Sequence, residues 1–177
     1  MSRAWVCPNC GLNYDTISPN DTIVSIRSYP RRYRDALGDL EDPARVEMLR
    51  RRPDAKTWSV LEYTAHVRDG LGWMADTFQR MQREDHPTIE HEDADERAAA
   101  QRFNEQDPEA VLDELATNAD RAANNLAQVR PDEWTRTATF AWGDRDLLTM
   151  ARNAVHEGYH HLRDVEKVLQ QVRGRAD

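Results

Sequence analysis

Three histidines set the first chemical expectation. His156 and His160 lie four residues apart in the run His156-Glu157-Gly158-Tyr159-His160-His161. On a helix, that spacing puts both imidazoles on one face, one turn apart. Two ring nitrogens so placed can reach a single metal ion, although pairs at this spacing also occur as surface or packing residues. Both flank the apolar positions Val155 and Gly158. His66 lies beside Val67 and three residues after Tyr63, so it too borders an apolar stripe; a buried histidine bonded to a neighbour is the ordinary alternative. Helix bundles build metal sites from side chains on facing helices. Three histidines from two helices leave coordination positions free, as catalytic sites do and closed structural sites do not. The expectation is one divalent ion at His66, His156 and His160, with Zn²⁺ or Ni²⁺ suited to three imidazoles.

Several further residues bear on that site. Asp69 is three residues beyond His66 and is a candidate to accept the second ring N–H of a ligand histidine. Glu62 has the same option, but a helix cap already accounts for it. Glu157 is turned about 100° from His156 around the helix and is expected to meet solvent or Arg163. His161 reads either as a pocket residue or as the partner of a tyrosine on the first helix. Trp73, seven residues after His66, shares its face and lines a pocket or packs in the core. Arg68 and Arg163 are candidates to hold a substrate carboxylate, with surface ion pairs as the alternative. His86 and His91 sit in an acidic stretch and read as solvated.

Cys7-Pro8-Asn9-Cys10-Gly11 is half of a zinc knuckle. Two cysteines cannot close a tetrahedral site, so this second metal site at Cys7 and Cys10 needs two more ligands, from a second subunit or from His86 or His91. A redox pair and a plain reduced pair are the other readings.

The elements that must position these groups are helical. Apolar residues recur at three and four from Asp21 to Leu40 (Ile23, Ile26, Tyr29, Tyr33, Leu37), with Asn20 or Asp21 as cap and a break or kink expected at Pro30. A second helix covers Val60 to Met81 behind the capping box Ser59/Glu62, with Gly70 and Gly72 either weakening it or permitting close packing. Residues 83–106 read as an exposed acidic linker with a short helix near Glu96 to Phe103. A third helix follows Asp107-Pro108. Thr137 to Trp142 is extended or a short hairpin. A fourth helix, capped by Asp144, carries Leu148, Ala151, Val155, Gly158, Leu162, Val165 and Leu169 in a heptad-like seam. The expected fold is all-α: a four-helix bundle over residues 21–177 preceded by a cysteine arm over 1–20.

Composition narrows the function. A net charge of −8 over 177 residues argues against nucleic-acid binding, which needs clustered positive charge; Arg50-Arg51-Arg52 beside Pro53 reads as a solvated loop. No run of about 18 apolar residues predicts a membrane span, and Met1 to Trp5 lacks a signal region, so the cytoplasm is the expected location.

Two segments resemble a known family. Trp58-Ser59-Val60-Leu61-Glu62-Tyr63-Thr64-Ala65-His66-Val67-Arg68-Asp69 is similar to the second helix of DinB-like (DNA-damage-inducible) bundles, and His156-x-x-x-His160-His161-Leu162-Arg163-Asp164 to their last. The resemblance spans about residues 20 to 172. It implies a divalent ion bound by one histidine of helix two and two of helix four, which fall on His66, His156 and His160. The cysteine arm lies outside the common pattern. The family includes thiol-dependent enzymes, such as mycothiol-dependent maleylpyruvate isomerase, and metal-dependent hydrolases. The resemblance therefore implies an S-transferase or isomerase with mycothiol as cosubstrate, and a homodimer; the arm and the segment Phe140 to Trp142 are candidates to reach across it. A metal-dependent hydrolase, or a non-catalytic protein whose ion stabilises a ligand-binding bundle, is the alternative.

Overall fold

The computed structural model describes residues 5–173. The ends of the two expected segments, residues 1–4 of the arm and 174–177 of the bundle, lie outside the described residues. Six helices and one hairpin follow one another as α1 (Pro19–Leu37), α2 (Pro43–Arg50), α3 (Val60–Arg83), α4 (Ala94–Ala100), α5 (Pro108–Ala127), β1 (Thr137–Phe140), β2 (Gly143–Asp146) and α6 (Leu147–Arg173). The four long helices form the bundle. α3 packs on α5 and α6, and α1 packs on the same two, so α1 and α3 occupy one diagonal.

Local sequence explains most boundaries. Ser18, not Asn20 or Asp21, caps α1: its hydroxyl accepts from Asp21 N–H while Asp21 accepts from Ser18 N–H, and Pro19 fills the first turn. α1 runs unbroken through Pro30, so of the expected break or kink the break does not occur. Tyr29 and Tyr33, on either side, are fully buried and donate to the α6 carbonyls of Val155 (2.6 Å) and Gly158 (2.9 Å). These tertiary bonds hold the helix where proline removes a backbone bond. Ser59 and Glu62 close the capping box of α3 as expected. Asp144 does not cap α6; it lies in β2 and accepts from Thr139 (2.8 Å). Asp146 does that work, accepting from Thr149 N–H at 2.7 Å.

α2 was not evident in the sequence. Asp42 caps it and Pro43 opens it, but only Leu49 of its residues is buried, so it lacks the repeated apolar stripe that reveals longer helices. The basic cluster at its end is not a free loop: Arg50 donates to the carbonyls of Asn104 and Gln106, and Arg52 pairs with Glu62. The acidic stretch is likewise tied down, because Ile89, Ala98 and Phe103 are buried and Ile89 N–H donates to Thr139 O at 2.9 Å.

Gly158 is required by packing: a Cβ there would run into the Tyr29 ring, so the glycine lets α1 approach α6 more closely than any side chain permits. A Cβ at Gly72 would meet only the side-chain amide of Asn118, at 2.9 Å.

Candidate functional site

α6 carries the site, because its run from His156 to Asp164 faces two neighbours at once. Residues one apart on a helix point about 100° apart. His156 and His160 therefore share one direction, while Glu157 and His161 share the next. The two directions lead to different partners.

The first direction meets the N-terminal arm. The arm is a tight knuckle: Cys7 N–H donates to Leu12 O and Gly11 N–H to Cys7 O, both at 2.9 Å, and Gly11 takes φ +75°, a left-handed conformation that favours glycine. It folds back on α6, where Ile17 O accepts from Arg152 at 2.9 Å. Trp5 and Tyr14 pack on the His156 ring, with centroids at 5.5 and 5.7 Å. Cys7, Cys10, His156 and His160 each bring one ligand atom to within 4.8 Å of the other three. Both cysteines are free thiols, and Cys7 is buried. Burial holds the imidazoles of His156 and His160 below the usual histidine range.

The second direction meets α3. Here His66, Glu157 and His161 form another group whose ligand atoms lie within 4.8 Å of one another. Glu157 Oε2 is 3.4 Å from both His66 Nε2 and His161 Nε2. Asp164 Oδ2 lies 3.1 Å from His161 Nδ1, which fixes the ring so that Nε2 faces the cluster. Burial opposes the His161 imidazolium, but the carboxylates of Asp164 and Glu157 outweigh it and raise the group to about 9. Burial likewise opposes the Glu157 carboxylate, and the two histidines more than reverse that, holding it far below the usual carboxylate range. Tyr63 stacks on His161 and Trp58 tilts against His66, with centroids at 5.4 and 5.2 Å.

His66 also borders a cleft of about 510 Å³, together with Trp73, His91, Arg97 and Arg121. That volume falls within the usual range for small-molecule sites. Trp73 thus shares the cleft with His66, and its indole N–H donates to Glu90 O at 2.8 Å.

The expected trio of His66, His156 and His160 is not among the potential metal groups of the described residues. His66 joins Glu157 and His161, and the two remaining histidines join the cysteines. Glu157, expected in solvent or against Arg163, bridges two imidazoles. His161 stacks on Tyr63 of α3, not on a tyrosine of α1. Asp69 does not support His66; Arg68 and Arg97 hold it at 2.6 and 2.5 Å. Arg68 is not free for a substrate, since it also binds Gln106 and Glu114 at 2.7 and 2.9 Å. Arg163 is exposed and belongs to neither group. His86 binds Thr137 and Thr139 of the hairpin (2.8 and 3.0 Å), and His91 packs between Trp73 and Trp142; neither belongs to the cysteine group.

Sequence reasoning passed over Glu157 and Asp164. The signal was present as a second pair at spacing four, Glu157 with His161, offset from the first by one residue, and as Asp164 four residues after His160 and three after His161.

Comparison with known proteins agrees with this architecture. A solved structure, YfiT from Bacillus subtilis, described as a probable metal-dependent hydrolase with an unusual four-helix bundle topology, superposes with a TM-score of 0.76 at 15% identity, covering 86% of each chain. At that identity the likeness shows the fold alone. No protein of curated function matches the chain. The family model of the DinB superfamily matches residues 28–165, most of the bundle, and the chain belongs to that superfamily.

Proposed function

We propose that the protein is a metal-dependent hydrolase whose ion is held by His66, Glu157 and His161. The observation that carries this reading is the donor set: two imidazoles and one carboxylate converge from α3 and α6, and His66 among them borders the cleft. Two histidines and a glutamate are a ligand set of zinc hydrolases, in which a fourth position is left to water or substrate. A divalent ion there supplies a Lewis acid that lowers the pKa of water or of a thiol.

The chain's own residues do the rest. Asp164 orients His161 through Nδ1, and the Trp58 and Tyr63 rings fix the two imidazoles from the side. Arg97 and Arg121 line the cleft together with Asp69 and Asp76, which pair with their guanidinium groups and hold that wall in place.

The description of YfiT as a probable metal-dependent hydrolase is consistent with this assignment. A thiol-dependent transferase or isomerase is the second reading. It is favoured by a cleft large enough for a cosubstrate such as mycothiol, and by the affinity of Zn²⁺ for sulfur. Zn²⁺ suits the His₂Glu set.

One experiment tests both. Zinc-loaded protein and its His66→Ala variant are assayed against a panel of chromogenic esters and amides, and against mycothiol with an electrophilic probe, with bound metal measured in parallel. The proposal expects hydrolysis by the parent, and a variant that loses both turnover and the α3–α6 ion. Conjugate formation without hydrolysis moves the assignment to the thiol reaction. Equal metal content and equal rates in the two proteins overturn both readings.

A further inference from the structure

We propose that Cys7, Cys10, His156 and His160 form a second, closed zinc site that clasps the N-terminal arm to α6, separate from the His66 cluster. The donor set is that of tetrahedral structural zinc, two thiolates and two imidazoles. Four donors satisfy the ion entirely from within one chain, so no partner subunit is needed.

The geometry fits on three independent counts. First, a tetrahedron with Zn–S of about 2.3 Å and Zn–N of about 2.0–2.1 Å has a sulfur–nitrogen edge of about 3.6 Å. Cys7 Sγ lies 3.6 Å from His160 Nδ1. Second, His156 Nε2 is buried with no hydrogen-bond partner, the one such side-chain atom among the described residues. A buried ring nitrogen left bare is costly, and an ion between it and the cysteines removes that cost. Third, the far nitrogens of both histidines face carboxylates: His160 Nε2 is 3.4 Å from Asp164 Oδ2, and His156 Nδ1 is 3.9 Å from Glu157 Oε1. Metal-bound histidines characteristically present their second nitrogen to such a group.

The knuckle itself is built for thiolates. The backbone N–H groups of Asn9 and Cys10 bear on the Cys7 sulfur, and that of Leu12 on the Cys10 sulfur. On binding, each thiol releases its proton to solvent and forms a sulfur–zinc bond. Two thiolates then balance the 2+ charge, which permits the burial that Trp5 and Tyr14 impose on His156. No sulfur is oxidised and no co-reactant is required.

Glu157 and Asp164 touch both clusters. Glu157 is a candidate ligand of the His66 site and a neighbour of His156, while Asp164 contacts His160 and His161. The arm site therefore also positions the carboxylates that serve the cleft.

The test is cobalt substitution in the full chain. Cobalt-loaded parent protein is expected to show a thiolate-to-cobalt charge-transfer absorption, which a His₂Glu site cannot give, together with the strong visible bands of tetrahedral cobalt. The charge-transfer absorption should vanish in Cys7→Ser/Cys10→Ser and persist in His66→Ala. Zinc content should fall from about two ions per chain to about one in each of these variants. A parent spectrum without the sulfur band overturns the proposal whatever the variants do, and so does its survival in the double serine variant. Loss of the band in His66→Ala would mean one shared site and would also overturn it. Failure of the hydrolase reading alone shows differently, as an intact sulfur band with no ion dependent on His66.

Discussion

The two sides of α6 form an internal comparison. His156 and His160 look toward the arm, Glu157 and His161 toward α3, and the offset between the pairs is a single residue. The arm side has two sulfurs, four converging donors and aromatic rings packed over it. The α3 side has three donors, a carboxylate among them, and a cleft beside His66. One helix thus carries a set suited to a closed site and a set suited to an open one. What separates them is helical register and what packs against each face, since each face presents one pair of donors at spacing four, His156 with His160 and Glu157 with His161.

The largest effect is expected from removing the arm ion alone. Cys7→Ser/Cys10→Ser should lower the stability of the zinc-loaded protein by about 4 kcal/mol, the linkage expected for a ligand about a thousandfold above its Kd. In a chain of this size that is a fall of roughly 10 °C in Tm. Differential scanning calorimetry checks it, and proteolysis should cut first in the released arm. Gly158→Ala comes next. Its methyl group would enter the Tyr29 ring and displace the hydroxyl from Val155 O, costing about 3 kcal/mol in denaturant titration. Because Gly158 lies between the two pairs, both ions should bind more weakly.

Smaller changes sharpen the contrast. Asp164→Asn contacts one histidine of each set and should weaken both ions by about 10–100-fold in chelator competition. Glu157→Gln should be lopsided, removing the α3-side ion while reducing arm-side affinity by about tenfold. The smallest structural effect is that of His66→Ala, a partly exposed ring whose loss should shift the stability of the metal-free protein by about 1 kcal/mol, while the zinc-loaded protein loses the α3-side ion.

Much of the bundle was legible in the sequence because its apolar stripes are long. The stripes of α1, α3, α5 and α6 recur over at least five turns each, and the Ser59/Glu62 box marks its boundary directly. α2 escaped because a two-turn helix with one buried side chain has no period to detect. The site was legible in its residue types but not in its grouping. His66, His156, His160, Cys7 and Cys10 all belong to the clusters. Their partition depends on the rotation of α6 about its axis, which Tyr29 and Tyr33 fix by bonding the carbonyls of Val155 and Gly158 from α1. Nothing local to the helix encodes that rotation. The arm posed a harder problem still, because its cysteines meet histidines about 150 residues away. Asp69 lines the cleft beside His66, but its bond to Arg97, which reaches it from outside α3, has no local signal in the sequence.

Two ions on adjacent faces of one helix can be located by anomalous scattering in crystals of the zinc-loaded protein. Two peaks are expected, one about 2.3 Å from both cysteine sulfurs and about 2.0–2.1 Å from His156 and His160 nitrogens, the other at His66, Glu157 and His161. A single peak shared by His66, His156 and His160, with Cys7 and Cys10 unligated, would contradict that arrangement.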